Sequence, residues 1–101
     1  MGPFTLPPKR RFKVAIDGNI WDVEERDAEE AARLVVKGFV WSGDPPGEGD
    51  VVTAHVIEVG AAVTARAVES FAFRAEWSLS AVSEDADDEP TAADLRALGV
   101  S

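Results

Sequence analysis

The chain has 101 residues, which gives room for a single hydrophobic core, and its 46% hydrophobic and 29% charged residues are typical of a globular domain. It contains no cysteine, which excludes a disulfide scaffold, a thiol nucleophile and a thiolate metal site. No apolar run approaches the roughly 18 residues that a membrane-spanning helix needs, so we expect no membrane partner. The net charge of −9 disfavours binding to nucleic acid on average.

Charge is concentrated at the two ends of the chain. Residues 9–13 hold four bases in five positions, and residues 84–101 hold six acids against one base. Segments of like charge are usually solvated, so one interpretation is a hydrated arm and a solubilising tail. The alternative is that each segment docks on another molecule, and weak contact between residues 9–13 and nucleic acid is one form of it.

Residues 1–10 are predicted to form an extended, basic and proline-rich arm, because prolines fix the backbone and remove hydrogen-bond donors. Phe4 and Leu6 alternate along this arm and can dock on the body of the protein or on a neighbouring molecule. The arm lacks the apolar stretch of a secretory signal. We therefore expect a protein of the cytoplasm or of a particle, not a secreted one.

Residues 11–25 show the clearest local pattern, two alternating stretches that flank Asp17-Gly18-Asn19. This pattern predicts a β-hairpin. With Gly18-Asn19 as the loop, Ile16 lies opposite Trp21; with Asp17-Gly18 as the loop, Val14 does. Either register leaves the charged residues on one face and puts five apolar residues on the other: Phe12, Val14, Ile16, Trp21 and Val23.

Residues 27–37 are predicted to form a helix. Asp27 suits the N-cap, with Glu30 three positions on, and Lys37 suits the negative end of the helix dipole. Gly38 is a natural residue to end it. A stripe of apolar residues would pack on the sheet: Ala28, Ala31, Ala32 and Val35.

A short apolar stretch and a loop follow the helix. Residues 39–41 are interpreted as a short strand, and the Pro- and Gly-rich residues 42–50 as a loop. Phe39 and Trp41 flank this loop. Either they belong to the core, or they expose an anchor for a partner, since Trp is common at interaction hot spots.

Residues 51–82 are predicted to form a β-meander. Residues 51–59 are β-rich and apolar on both faces, which favours a central strand. Residues 62–69 continue the alternation as a second strand, with a bend near Glu69-Ser70. A third strand is expected over residues 71–82, where the period-2 alternation is strong.

Residues 84–90 are predicted to be an acidic linker, after which Thr91 and Asp94 form the capping box of a last short helix. The apolar residues of this helix are Leu95, Leu98 and Val100. The helix either folds back on its own sheet or docks into a groove on another chain.

These elements predict an α+β fold, a small antiparallel sheet with one helix, that spans residues 11–83. The arm of residues 1–10 precedes it, and the acidic linker and short helix of residues 84–101 follow it. Five aromatic residues are expected to supply most of the core: Phe12, Trp21, Phe71, Phe73 and Trp77.

Catalytic chemistry has little support in the sequence. His55 is the one histidine, and on a strand it points away from the face of Glu58, so we expect it to have a structural role. The acids at 85–89 lack the spacing of a calcium-binding loop. We therefore predict no catalytic residue, no metal site and no cofactor.

The leading hypothesis is a non-enzymatic protein–protein interaction or structural module. It would be a small subunit or accessory protein of a larger homo- or hetero-oligomer, for example a virus-like particle. The first alternative is an acidic inhibitor that mimics nucleic acid, and the second is a small enzyme. The candidate partner-binding residues are Phe4, Leu6, Lys9, Arg10, Arg11, Phe39, Trp41, Leu95, Leu98 and Val100.

Overall fold

A computed structural model describes residues 8–43, 45–60, 64–76, 80–85 and 89–100. Five strands form one sheet in the order β2-β1-β3-β4-β5, in which every neighbouring pair is antiparallel. The sheet and its helices confirm the α+β class. The strands are β1 (Arg10–Ile16), β2 (Asn19–Glu25), β3 (Val51–Glu58), β4 (Glu69–Glu76) and β5 (Ser80–Glu84), and the two main helices are α1 (Ala28–Val35) and α2 (Ala92–Ala97).

The hairpin of β1 and β2 adopts the register with Asp17-Gly18 as its loop. Val14 pairs with Trp21, and Phe12 pairs with Val23. Asp17 and Gly18 have φ angles of 52° and 81°, as a type I′ turn requires, and this turn matches the twist of the strands. The predicted apolar face is confirmed.

The central strand β3 has a packed layer on each face. On one face, α1 covers the main core, in which Phe12, Val56 and Phe73 meet Val35 of the helix. On the other face, Leu98, which follows α2, packs with Ala15 and Ile57 in a smaller cluster. Trp77 lies outside the described residues, and the other four predicted core aromatics belong to the main core or pack against it.

The helix begins as predicted but does not end at Gly38. The carboxylate of Asp27 accepts a hydrogen bond of 2.8 Å from the backbone N–H of Glu30. Beyond α1 the chain continues through a π-helical segment, Val36–Val40, into a last helical turn, Trp41–Gly43. The predicted ending and the predicted strand at 39–41 are therefore wrong.

Burial of Trp41 explains this extension. Its backbone N–H bonds to the carbonyl of Val36, five residues earlier, and the wider π turn brings both residues to the buried side. The Ser42 hydroxyl also donates to the Gly38 carbonyl at 2.7 Å. The gain from burying the indole outweighs the tendency of glycine to end a helix.

The predicted meander needs two corrections. Residues 65–67 form a 3₁₀ turn, not a strand, because the chain must cross from the end of β3 to the start of β4. Residues 71–82 are not one strand, because the chain reverses between Glu76 and Ser80, which pair across β4 and β5. Residues 61–63 and 77–79 lie outside the described part.

Helix α2 folds back on the body of the protein. Thr91 and Asp94 form the predicted capping box, and α2 contacts β1 and β2. Arg10, the last residue of the predicted arm, begins β1, and Glu84, the first residue of the predicted acidic linker, ends β5. Residues 1–7 and 86–88 lie outside the described residues, so the extended arm and the linker stay predictions. Within the described part, no helix is long and apolar enough to cross a membrane.

Candidate functional site

A cluster of polar side chains lies beneath α2, where His55 meets residues from two other elements. His55 is central in β3, between Ala15 of β1 and Ser70 of β4. Its ring is buried, with Nδ1 2.7 Å from the Ser70 hydroxyl oxygen and Nε2 3.7 Å from a carboxylate oxygen of Asp94. The fold thus joins a hydroxyl, an imidazole and a carboxylate.

Asp94 links three parts of the molecule. Its Oδ1 accepts a 2.8 Å hydrogen bond from the backbone N–H of Gly18, in the β1–β2 turn. Its Oδ2 accepts from the hydroxyl of Thr91 at 3.0 Å and faces His55. One buried carboxylate therefore caps α2, holds the hairpin turn and approaches the central strand.

The surroundings of Asp94 act on its pKa in opposite directions. Burial raises it, whereas hydrogen bonds from Gly18 and Thr91 and the nearby charge of His55 lower it. The lowering effects prevail, so the pKa of Asp94 lies below its ordinary value of 3.8. The carboxylate is therefore charged at neutral pH.

A cavity of about 310 Å³ opens beside the polar cluster. The side chains around it are mixed in character, and they come from the hairpin turn, the start of β3 and the segment that leads into α2. The lining residues are Ile16, Asp17, Val51, Val52, Thr53, His55, Glu89, Thr91 and Asp94.

The side chains of the cluster differ in their access to this cavity and in the partners they already have. A nucleophilic serine must face the space that its substrate occupies, and Ser70 is not among the residues that line this cavity. Both oxygens of Asp94 already accept hydrogen bonds from its own chain. In the described residues no group of three or more histidines and carboxylates is arranged to hold a metal ion.

Sequence reasoning missed the partners of His55. The sequence suggested only Glu58, three residues away, as a possible carboxylate partner of His55. In the structure the carboxylate that His55 approaches is that of Asp94. The capping-box pattern identified Asp94 as a helix cap, and that prediction is confirmed. Nothing in the sequence says that this cap reaches the middle of the sheet, because the contact depends on how α2 folds back.

The predicted basic segment has side chains that already have partners. The guanidinium of Arg10 forms a 2.7 Å ion pair with Glu58 and donates to the carbonyl of Arg26 at 3.0 Å. Lys9 lies 4.0 Å from Glu25. Arg11 is exposed. Two of the four bases of residues 9–13, Lys9 and Arg10, are therefore already paired with groups of the same chain.

The predicted apolar contact residues are divided between the core and the surface. Trp41 is buried, whereas Phe39, two positions before it, is 51% exposed. At the other end of the chain Leu98 is buried against its own sheet, and Leu95 and Val100 are half-buried. Phe4 and Leu6 lie outside the described residues. A role in binding partners stays a prediction for all of these residues.

Comparison with known proteins gives no match, whether with family models, curated proteins or solved structures.

Proposed function

We propose that the chain is a non-enzymatic protein–protein interaction module that works as a small subunit or accessory of a larger assembly. The observation that carries this proposal is the exposure of Phe39, at 51%, on the helical segment beyond α1. A phenylalanine ring in water costs free energy that a partner would recover by covering it, and aromatic residues often dominate the binding energy of protein interfaces.

The sheet offers a second surface for partners. Strands β2 and β5 stand at its two edges in the described structure, and each presents backbone donors and acceptors on its outer side. An extended segment of a partner can add to such an edge, with backbone hydrogen bonds supplying affinity. The Phe39 segment packs on the face of the sheet opposite the polar cluster around His55.

Ion pairs within the chain weigh against mimicry of nucleic acid. Arg33 pairs with Glu29 and Glu30 on α1, and Arg74 pairs with Glu84 at 2.7 Å on the sheet. A mimic needs a rigid surface of carboxylates that a basic partner can reach. These carboxylates are already partly neutralised by their neighbours, so the interaction module is the better proposal.

Sedimentation of Phe39→Ser tests the proposal. We expect the parent chain to form species heavier than its 10.8 kDa monomer as its concentration rises, or to retain a partner when immobilised. Phe39→Ser should weaken this association at least about tenfold, since losing a central aromatic contact costs about 2 kcal/mol or more.

Val51→Ser is the matched control, because Val51 is 50% exposed and belongs to β3, not to the Phe39 segment. It should associate as the parent does. A parent chain that stays monomeric and retains nothing would contradict the proposal, and so would equal association of the parent and Phe39→Ser.

A further inference from the structure

A groove runs beside α1, between the helix and the end of β2. Its volume is about 380 Å³, and we call it the α1 groove. Two carboxylates and two cations stand around it, so its lining is electrically balanced although the whole chain carries −9. Such a surface does not repel a copy of itself, as a surface with the average charge of the chain would. The α1 groove is lined by Glu25, Glu30, Arg33, Leu34, Lys37 and Gly38.

The apolar part of this surface consists of two side chains that α1 and the segment after it leave in water. Leu34 is 42% exposed and Phe39, five positions later, is 51% exposed. A side chain at Gly38 would start 3.8 Å from the Leu34 Cδ1 atom, so the missing side chain leaves the leucine accessible. Covering Leu34 and Phe39 together would remove both from water, which favours association.

Charges of opposite sign lie on either side of Leu34. Glu30 is four positions before it and Lys37 three positions after it, so all three share one face of the helix, and all three are exposed. From Glu30 to Lys37 the helix extends about 10 Å. Within the described part of the chain, no ion pair joins Lys37 to another residue.

This order of charges is complementary to itself. In a symmetric pair of proteins, the contact that one residue makes with another is repeated in reverse across the two-fold axis. If two copies of α1 pack antiparallel with the axis at Leu34, Glu30 of each copy faces Lys37 of the other. Parallel packing would instead place like charges together. Complementary charges fix orientation and register, and here they specify a second copy of the chain.

One wall of the α1 groove is held in place before any partner arrives. The guanidinium of Arg33 bonds to Glu30 at 2.9 Å and to the Ser83 hydroxyl at 3.0 Å, and it lies 5.5 Å from the ring centre of Phe73. A side chain with several partners loses little further freedom on binding. Association therefore costs little ordering of this wall.

We propose that the α1 grooves of two copies pack against each other and form a symmetric antiparallel dimer. Leu34 meets its own copy at the axis, and the two pairs of Glu30 with Lys37 flank it. About the same axis, Phe39 of each copy lies beyond Glu30 of the other and covers the groove towards Glu25. This inference rests on the proposed interaction module, and it names the partner and the surface.

Charge reversal in the full chain tests the dimer. Glu30→Lys places lysines opposite Lys37 at two points, and Lys37→Glu places carboxylates opposite Glu30 at two points. Each variant should weaken self-association at least about tenfold in sedimentation velocity over a range of concentrations, because attraction becomes repulsion twice. Lys37→Glu breaks no ion pair within the described residues, so its effect reports the contact between copies.

Restoring the charge pattern is the stronger test. The double variant Glu30→Lys/Lys37→Glu reverses both pairs and should dimerise within about threefold of the parent. An equimolar mixture of the two single variants should also form a heterodimer, although each variant alone associates weakly. A partner with a different sequence would bind neither the double variant nor the mixture in this way, since its own charges stay fixed.

Glu29→Lys is the matched control. Glu29 is also in the first turn of α1 and also bonds to Arg33, but its carboxylate accepts from Ser83 of β5 at 2.6 Å and it does not line the α1 groove. This variant should dimerise as the parent does. An equal loss in Glu29→Lys, or no recovery in the double variant and the mixture, would overturn the proposal.

The same measurements separate this inference from the proposed function. Self-association of the parent that neither single reversal changes would overturn the α1 dimer and leave the interaction module in place. A parent that stays monomeric but retains a different protein when immobilised would have the same consequence. A parent that stays monomeric and retains nothing would contradict both.

Discussion

At the scale of single residues, Asp94 connects parts of the chain that are far apart in sequence. It binds the turn at Gly18, caps α2 through Thr91 and approaches His55 in the central strand. The sequence predicted the cap from its four-residue pattern. It could not predict the other two contacts, because they join residues far apart in the chain and depend on the packing of α2.

Asp94→Asn should destabilise the fold by about 1–3 kcal/mol, because it removes charge-assisted hydrogen bonds from a buried site. The pKa of Asp94 is lower in the folded state than its ordinary value of 3.8, so the charged carboxylate stabilises the fold above that pH. This contribution is lost as the pH falls through the folded pKa. Urea unfolding of both proteins from about pH 6 to about pH 3 measures it.

The difference in unfolding free energy between the parent and Asp94→Asn should therefore narrow on the acid side of this range. A difference that stays constant, or that widens with acid, would show that Asp94 does not act through its charge.

At the scale of elements, the sequence pattern predicted the structure correctly where interactions between neighbouring residues determine it. Alternation around Asp17-Gly18 specified the first hairpin, since the turn and the apolar face require the same arrangement. The sequence did not predict the hairpin of β4 and β5, because Glu76 and Ser80 are separated by an even number of positions. Both therefore fall on the same face, and the alternation runs through the reversal as though the strand were unbroken.

Tertiary packing also determined where the first helical segment ends. Gly38 resembles a helix end in sequence, yet it lies within the π-helical segment that carries Trp41 into the core. Its φ angle is not positive, unlike that of Gly60 at 98°. Burial of Trp41 therefore outweighed the preference of glycine for the ends of helices, which is a dependable guide in short exposed helices.

Gly38→Ala should stabilise the protein by about 0.5–1 kcal/mol, because alanine reduces the entropy of the unfolded chain and its Cβ meets nothing closer than 3.8 Å. Gly60→Ala is the contrasting control and should destabilise, since its positive φ strains an alanine. Urea denaturation of the two variants gives both values. Destabilisation by Gly38→Ala would mean that the helix ends at Gly38 after all.

At the scale of the whole molecule, we propose that two regions have separate tasks. The cluster of His55, Ser70 and Asp94 holds α2, the hairpin turn and the central strand together. The exposed ring of Phe39 lies on the helical segment on the other face of the sheet, where it can meet a partner. Charge and composition in the sequence excluded several classes of function, but only the folded chain separates Phe39 from the buried Trp41.

Sedimentation velocity of the parent, Asp94→Asn and Phe39→Ser, run side by side below the unfolding temperature, tests this division of tasks most directly. We predict that Asp94→Asn associates as the parent does despite its lower stability, and that Phe39→Ser remains folded but loses the association. The opposite pattern, with association abolished by Asp94→Asn and kept by Phe39→Ser, would contradict it.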